Sequence, residues 1–476
     1  MHLTRTVKMI AAASLLSLTA AACGSTAPGK PSTLDPANKV PASAALYTAL
    51  VVRSARSDSA NLSHVVDALG GAGTDQALRE QIEQTLNLGA NVNTAGLDRW
   101  LGLRVGIAVL VKQDRDGGNG APAPAVAVVA PTSDPDTARR YLTSSFHGSG
   151  QIWRVSGGYV VAGDPQAVRA VLGTTPADSL AAESAYQKDL SKIGSGQVAT
   201  VFMRPRQLMR IAHARTHLAY WEWAHALLSL SQLSEPDTVA AAVSFSSNQL
   251  RLDAVDSSAK GLLATSGRQA VSVSALPADS WLAVSLNDEQ NSSVWSNLLG
   301  GFQPLSLAPR DMSGRVSADG TLTKASVNGA AADTPVLISV SGDTAESLRT
   351  GTAAATSNPS VVRALERQVK IVLGVRHVKT TQLDGQTLIT TGYRDPAQML
   401  RASLQLAQDR TYQAALTQLP PRSLVKVYIN FASLAKLGAE FDHDASDAQL
   451  WTTARAIRYL IVGQTPTQTR MVITVN

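Results

Sequence analysis

Residues 186–203 read YQKDLSKIGSGQVATVFM, and residues 412–429, which lie 226 positions later, read YQAALTQLPPRSLVKVYI. Both segments start with Tyr-Gln and place a Leu four residues after the Tyr, the spacing of one helical face. Each segment then passes through Gly or Pro into a β-prone apolar run. The same helix, turn and strand pattern at a constant offset predicts an internal repeat.

Two further pairs of segments match between the halves. Asp164-Pro165 and Asp395-Pro396 each follow a β-prone run. Asp is a good N-cap and Pro fits the first helical position, so both pairs predict a helix start. Pro41 and Pro277 each precede a strand-like run, a position where Pro is tolerated.

These matches predict an α+β fold of two tandem pseudo-repeats, at 41–256 and 275–476, joined by a linker at 257–274. Each half ends with two apolar runs around a polar turn, which predicts a closing hairpin. Hairpins interleaved with helix pairs favour mostly antiparallel sheets with helices packed on one face.

The local patterns of the first unit predict its elements in more detail. Alternating or continuous apolar runs predict strands at 45–52, 103–111, 124–130, 151–155, 158–162 and 197–203. Helical periodicity predicts helices at 59–70, 74–88, 97–101, 134–145, 164–172, 178–192 and 205–231.

The composition excludes several classes of protein. The chain has 476 residues, 44% of them hydrophobic and 16% charged, with a formal net charge of +6 and a single cysteine. This length can bury a large core, and one cysteine cannot form a disulfide scaffold. The scattered positive charge gives no reason to expect a nucleic-acid partner.

The first 22 residues have the features of a bacterial lipoprotein signal peptide. Arg5 and Lys8 precede an apolar stretch from Met9 to Ala22, which is short for a membrane span and ends in small residues before Cys23. In such a signal the Cys23 thiol carries the lipid. An ordinary secretory signal is the alternative, because Ala20 stands where a Leu is usual.

Residues 23–40 follow as the lipid-anchor Cys and a predicted flexible tether. The segment GSTAPGKPSTLDPANKV is rich in Gly, Pro, Ser and Thr. We therefore expect a protein held by its lipid on the outer, extracytoplasmic face of the cell membrane.

Several stretches resemble one family across most of residues 41–436. They are the run after Pro41, DRWLGLRVGIAV at 98–109, the segment 128–141, GGYVVAGD at 157–164 and LPADSW at 276–281. This pattern is similar to exported bacterial proteins with a domain of unknown function of the DUF3352 type. The resemblance implies no catalytic residue and no cofactor.

The helix predicted after Pro205 carries a polar stripe. Its side chains fall within about 60° of one another at 100° per residue, and they are Arg206, Arg210, His213 and His217. A His-x3-His pair can bind zinc, but the two guanidinium groups repel a dication. An anion such as a lipid phosphate or an acidic envelope polymer fits the stripe better, and a solvated face is the alternative. We predict no metal site.

Further along the same helix, Tyr220, Trp221 and Trp223 concentrate three aromatic side chains. An exposed aromatic cluster binds a partner, a glycan or a membrane interface, and a buried one packs between the repeats. Both interpretations remain open at this point.

No complete catalytic set is present in the sequence. Ser433-Leu-Ala-Lys436 matches the Ser-x-x-Lys of penicillin-binding enzymes, but no Lys-Thr-Gly follows it. The leading hypothesis is therefore a non-enzymatic, membrane-anchored binding or scaffolding module for a cell-envelope component. It needs no cofactor, and its protein partner is not identified. An envelope hydrolase with a site assembled only in three dimensions, a carrier of a hydrophobic ligand and a structural spacer are the alternatives.

Overall fold

The computed structural model describes residues 34–51, 99–112, 123–145, 152–193, 196–212, 237–246, 248–256, 272–286, 335–344, 346–373, 377–441, 454–465 and 467–476. The chain divides into two compact units between Leu262 and Leu263, inside the segment predicted as a linker. The described residues of the first unit run from 34 to 256, and those of the second from 272 to 476.

The described part of the first unit contains an antiparallel sheet of eight strands. They are β1 Leu46–Val51, β2 Arg104–Lys112, β3 Ala123–Pro131, β4 Ile152–Ser156, β5 Tyr159–Gly163, β6 Gln197–Met203, β7 Val239–Ser246 and β8 Gln249–Asp256. Hydrogen bonding gives the order β4-β5-β3-β2-β1-β6-β7-β8. Its helices are α1 Pro135–Ser145, α2 Pro165–Gly173, α3 Ser184–Ser191 and α4 Pro205–Ala212.

The second unit, over its described ranges, also contains eight antiparallel strands. They are β9 Ser280–Leu286, β10 Val336–Ser341, β11 Arg349–Ala354, β12 Lys379–Leu383, β13 Gln386–Thr391, β14 Leu424–Asn430, β15 Ile457–Gln464 and β16 Gln468–Val475. The helices are α5 Pro359–Leu373, α6 Arg410–Leu416 and α7 Phe431–Phe441. The strand order is β12-β13-β11-β10-β9-β14-β15-β16. Counted from the first strand of each unit, this order equals that of the first unit.

A short backbone bridge fixes the entry of the first sheet. Pro41 pairs with Ser179 outside the named strands. The Leu180 N–H donates to the Val40 carbonyl at 2.7 Å, and the Ala42 N–H donates to the Asp178 carbonyl at 2.9 Å. Because these bonds flank Ser179, which is extended, the helix predicted at 178–192 is replaced by a 3₁₀ turn, Leu180–Ala182, followed by α3.

The second unit has a bridge of the same kind. Pro277 pairs with Gln405. The Leu406 N–H donates to the Leu276 carbonyl at 2.7 Å, and the Ala278 N–H donates to the Leu404 carbonyl at 3.0 Å. A 3₁₀ turn at Leu406–Gln408 then leads into α6, as the corresponding turn leads into α3.

The repeated Tyr-Gln segments supply a central aromatic contact in each core. The ring of Tyr186 meets that of Phe202 edge to face at 5.3 Å between centroids, and Tyr412 meets Tyr428 in the same way at 5.0 Å. All four side chains are buried in the core of their own unit. Edge-to-face aromatic pairs add to the free energy gained by burial alone.

The two Asp-Pro pairs have different outcomes. Asp164 caps α2 and accepts a hydrogen bond from the Gln166 N–H at 2.8 Å. Asp395 caps in the same way, but only a 3₁₀ turn, Pro396–Met399, follows it. Predicting an α-helix at the second pair was therefore wrong, since the chain turns again after Met399, which is buried in the core.

Helices lie on both faces of the second sheet, where the sequence predicted one. Neighbouring residues of β13 separate the faces: Leu388 belongs to the core that includes α6, and Ile389 packs with Val361 and Leu365 of α5. The helix α7 also packs against the apolar side chains of β9 that point away from α6. The single-face prediction was too narrow because the strands carry apolar residues at consecutive positions.

The folded part of the first unit begins earlier than predicted. Pro36–Asn38 forms a 3₁₀ turn capped by Asp35, and Ala37 and Val40 are fully buried in the core. The Tyr159 hydroxyl donates to the Asp35 carbonyl at 3.2 Å. Residues 35–40 therefore belong to the unit and not to the tether predicted at 23–40. The polar, Pro-containing composition of this stretch masked two small apolar side chains that are buried.

Candidate functional site

The predicted basic stripe is described only at its first two positions. Arg206 and Arg210 are both exposed on α4. The Arg206 guanidinium lies 3.8 Å from the Asp237 carboxylate, in a solvent-exposed ion pair. Exposed pairs of this kind contribute little to stability. The remaining predicted site residues lie outside the described ranges, and they are Cys23, His213, His217, Tyr220, Trp221 and Trp223.

The Ser-x-x-Lys match does not bring its lysine to a catalytic serine. Lys436 on α7 donates from Nζ to Asp343 at 3.3 Å, and both side chains are about half exposed. The geometry at Lys436 is that of a surface ion pair.

Four hydroxyl groups, which we call the hydroxyl cluster, meet inside the second unit. They belong to Ser280, Ser339, Ser341 and Tyr393, and all four residues are buried. The Ser280 and Ser339 oxygens lie 3.0 Å apart, and the Ser341 and Tyr393 oxygens 3.2 Å apart. Burial raises the pKa of Tyr393 because the phenolate would lose its hydration, although hydrogen bonds from Ser341 and Ser339 oppose the rise. The phenol is therefore a neutral hydrogen-bonding group at neutral pH.

Arg349 and Asp279 form a charged pair above this cluster. Their ion pair joins the start of β11 to the turn before β9. The Arg349 guanidinium carbon lies 5.5 Å from the centre of the Tyr393 ring, a cation–π distance. Its side chain is 31% exposed and that of Asp279 is 49% exposed, so solvent reaches both. The Arg349 Nε–H is buried and has no hydrogen-bond partner among the described residues.

The segment that brings Tyr393 to this place is itself fixed by a lysine. Lys379 on β12 donates from Nζ to the backbone carbonyls of Tyr393 and Arg394, at 3.3 and 3.0 Å. Gly392 turns the chain just before Tyr393 with a φ of 79°, a conformation that favours Gly. The hydrogen bonds and the turn thus hold the Tyr393 segment beside the charged pair, and binding sites need supporting contacts of this kind.

The first unit has apolar residues in the matching places. Positions match by register, since β1 pairs Leu46 with Val109 as β9 pairs Leu282 with Val340. By this register, the four residues Ser280, Ser339, Ser341 and Arg349 match the buried residues Ala44, Ala108, Leu110 and Ala125. The polar cluster is therefore a property of the second unit.

A buried carboxylate is the corresponding special feature of the first unit. Asp189 at the end of α3 is fully buried and accepts a hydrogen bond from the Thr238 hydroxyl at 2.8 Å. The Lys192 ammonium lies 3.7 Å away. Burial raises the pKa of Asp189, and Thr238 and Lys192 oppose this rise. This arrangement ties α3 to the start of β7 and offers no open site.

Sequence reasoning missed both features, although each left a signal. Asp189 falls inside the repeated segment at the place where the second copy has Ala415. Ser339 and Ser341 alternate within the apolar run VLISVS, at positions that face the core. A polar residue at a core position of one unit, where the other unit has an apolar residue, thus indicates a buried polar feature in the sequence.

The described residues also bear on metal binding and on membrane insertion. Within the described ranges, no three His, Cys, Asp or Glu side chains come together as ligands for a metal ion. None of the helices that the structure describes has the length and apolarity to cross a membrane.

Comparison with known proteins gives one match. No curated protein matches the chain, and no solved structure does. A family model matches residues 154–317. Of the segments that resemble DUF3352 proteins, 157–164 and 276–281 lie inside this region, whereas those at 41, 98–109 and 128–141 lie outside it. The match is to the family model described as a protein of unknown function (DUF3352), and it covers residues 154–317, about a third of the chain.

Proposed function

We propose that this chain is a lipid-anchored, extracytoplasmic protein, without enzymatic activity, that binds an envelope component through its second unit. The second unit would carry the recognition site, and the lipid on Cys23 would hold the protein at the outer face of the cell membrane. The partner chemistry is that of a polar molecule with both hydrogen-bond donors and acceptors.

The common strand order of the two units supports an origin by duplication. The backbone bridges at Pro41 and Pro277 have the same pattern, and each leads through a 3₁₀ turn into a helix with a buried Tyr. Duplicated units often keep their architecture while one copy acquires a site, since function depends on the site and not on the fold.

The sequence before the first unit supports the lipid anchor. A positively charged start, a short apolar stretch and small residues lead to the only cysteine of the chain, Cys23. Two acyl chains on one residue are sufficient for stable anchoring, whereas a single chain is marginal.

The charged pair over the hydroxyl cluster is the observation that carries the binding function. The Arg349 side chain is 31% exposed, and its guanidinium lies beside the carboxylate of Asp279, whose side chain is 49% exposed. A ligand hydroxyl or carboxylate can accept from Arg349, and a ligand donor can bond to Asp279. Lys379, which holds the Tyr393 segment, donates to backbone carbonyls and not to the hydroxyl cluster.

Native mass spectrometry of the full-length chain, extracted from its own membrane, tests both parts of the proposal. We expect acyl groups on Cys23 and a co-purifying polar ligand. In an Arg349→Gln variant the ligand should be lost. The matched control is Arg401→Gln, which removes a guanidinium from an exposed ion pair with Asp384 that has no hydroxyl cluster beneath it.

Three results would contradict the proposal in different ways. Unmodified Cys23 in membrane-extracted protein would remove the anchor. A ligand-free wild type would remove the binding function. Equal ligand loss in the Arg349→Gln and Arg401→Gln variants would show that the charged pair over the hydroxyl cluster is not the site.

A further inference from the structure

The helix α5 of the second unit is strongly two-sided. Val361, Leu365 and Val369 are buried and pack against the sheet residues Ala354 and Ile389. Asn358 caps the helix start, where its Oδ1 accepts from the Ser360 N–H at 3.0 Å. Capping and apolar packing fix the orientation of α5, and therefore also the direction of its other side.

The opposite side of α5 carries three cations, which we call the basic face: Arg363, Arg367 and Lys370. All three residues are exposed. At 100° per residue their mean direction lies about 170° from that of the buried valines and leucine. With a rise of 1.5 Å per residue they span roughly 10 Å along the helix.

The basic face has no acidic partner. None of its three cations makes an ion pair with another described residue, whereas other exposed cations do, such as Arg139 with Asp136 and Lys436 with Asp343. Glu366 is the one acidic residue in the sequence of α5.

The Glu366 carboxylate balances at most one of the three positive charges, which leaves α5 with a surplus of two. It accepts a hydrogen bond from the Thr380 hydroxyl of β12. In the first unit, α1 occupies the matching place between the third and fourth strands, and there Arg139 and Arg140 are accompanied by Asp136 and the preceding Asp134. The unbalanced charge is thus specific to α5.

We propose that the basic face of α5 binds the anionic headgroups of a membrane surface. A row of separate cations on a convex helix matches several separate phosphate groups on a surface better than one anion in a pocket. The choice of lipid as the source of those phosphates rests on the proposed anchor at Cys23, which would keep the protein next to a membrane.

The test uses the full-length chain reconstituted into vesicles of phosphatidylcholine, with or without phosphatidylglycerol. An amine-acetylating reagent labels Lys370, and Lys436, exposed on α7 and paired with Asp343, serves as the internal control. We expect labelling of Lys370 to slow at least about 25-fold on the anionic vesicles, the combined effect of two or more cations at such a surface, with no change at Lys436. About 1 M NaCl should abolish the difference by screening.

Two variants locate the effect. In Arg363→Gln/Arg367→Gln, Lys370 remains as the reporter, and its protection should fall to no more than about fivefold, the effect of the one cation that is left. Arg139→Gln/Arg140→Gln on α1 is the matched control and should keep the protection. Both pairs are exposed, so both variants should fold, and circular dichroism checks this.

Other outcomes would overturn the inference. They are equal protection on neutral vesicles, equal protection in the α5 variant, and stronger protection by soluble polyglutamate, which would assign the basic face to an acidic polymer. The intact mass of the same sample separates the two proposals. Protection without acyl groups would contradict only the anchor, and acylated protein without protection would contradict only the basic face.

Discussion

The two units share their strand order but fill matching places with different chemistry. The first unit places Ala44, Ala108 and Leu110 where the second places Ser280, Ser339 and Ser341. The reverse holds at a second place, where Asp189 and Thr238 of the first unit match Ala415 and Tyr459 of the second. The matching side chains are buried in both units. The polar side chains form hydrogen bonds with one another, and the apolar side chains fill the space by packing.

This contrast teaches which features define the architecture. The backbone bridge at the entry strand and the buried Tyr of the following helix occur in both units, so the fold depends on them. The core chemistry around them varies as long as polar groups are paired and space is filled. Four experiments test this distinction.

Removing the shared aromatic side chain should have the largest effect. Tyr186→Ala and Tyr412→Ala should each lower the free energy of unfolding of their own unit by about 3–5 kcal/mol, the cost of deleting a large buried aromatic group. Hydrogen exchange read by mass spectrometry measures the two units separately. A loss below about 1 kcal/mol in either would mean that the repeated segment does not organise that core.

A backbone difference between the units comes next. Gly163 has a φ of 139°, and a Cβ there would lie 2.2 Å from the Val126 carbonyl oxygen. The matching residue of the second unit is Thr390, within a strand. Gly163→Ala should cost about 3 kcal/mol through strain and the clash, measured by urea unfolding.

Gly173→Ala is the control for this change, since nothing lies within 4 Å of its Cβ position. Equal unfolding midpoints for the two alanine variants would contradict the strain and the clash expected at Gly163.

Converting the second core to the composition of the first should have a smaller and non-additive effect. Ser339→Ala should cost about 1–3 kcal/mol because the buried Ser280 hydroxyl loses its partner. The double variant Ser280→Ala/Ser339→Ala recreates the alanine pair of the first unit, so it should cost less than the single one. A double-mutant cycle in denaturant measures this, and simple additivity would refute it.

The smallest effect concerns the buried carboxylate, and it depends on pH. Because burial raises the pKa of Asp189, the folded protein holds this proton more strongly than the unfolded chain does. The stability contributed by the protonated form is complete below the ordinary aspartate pKa and is lost as pH rises through the raised value.

Asp189→Asn should therefore gain stability relative to the wild type from acid to neutral pH, within about 1 kcal/mol, because it keeps an acceptor for Thr238. Thermal melts across this pH range measure the difference, with the exposed Asp136→Asn as control. A constant difference between wild type and Asp189→Asn would contradict a raised pKa.

Much of the local structure followed from the sequence. The constant offset located both Tyr-Gln segments, and α1, Pro135–Ser145, agrees within one residue with the helix predicted at 134–145. Where the sequence was wrong, a tertiary contact decided the structure. The bridge to Pro41 replaced the start of one helix, and burial of Met399 ended another after one turn.

The candidate site could not be found by linear reasoning. Ser280 and Ser339 are 59 residues apart, and Asp279 and Arg349 are 70 apart. Only the register of β9, β10 and β11 brings them together. Sequence patterns report the spacing of residues along one helix or strand. They do not show which residues of distant strands lie opposite each other.

The position of the first described turn bears on the proposed anchor. Asp35, which caps that turn, lies 12 residues after Cys23. A fully stretched chain of that length covers at most roughly 40 Å. A lipid on Cys23 would therefore keep the capped turn within a few nanometres of the bilayer. Under this proposal, an envelope component that stays farther from the bilayer would be out of reach of that turn.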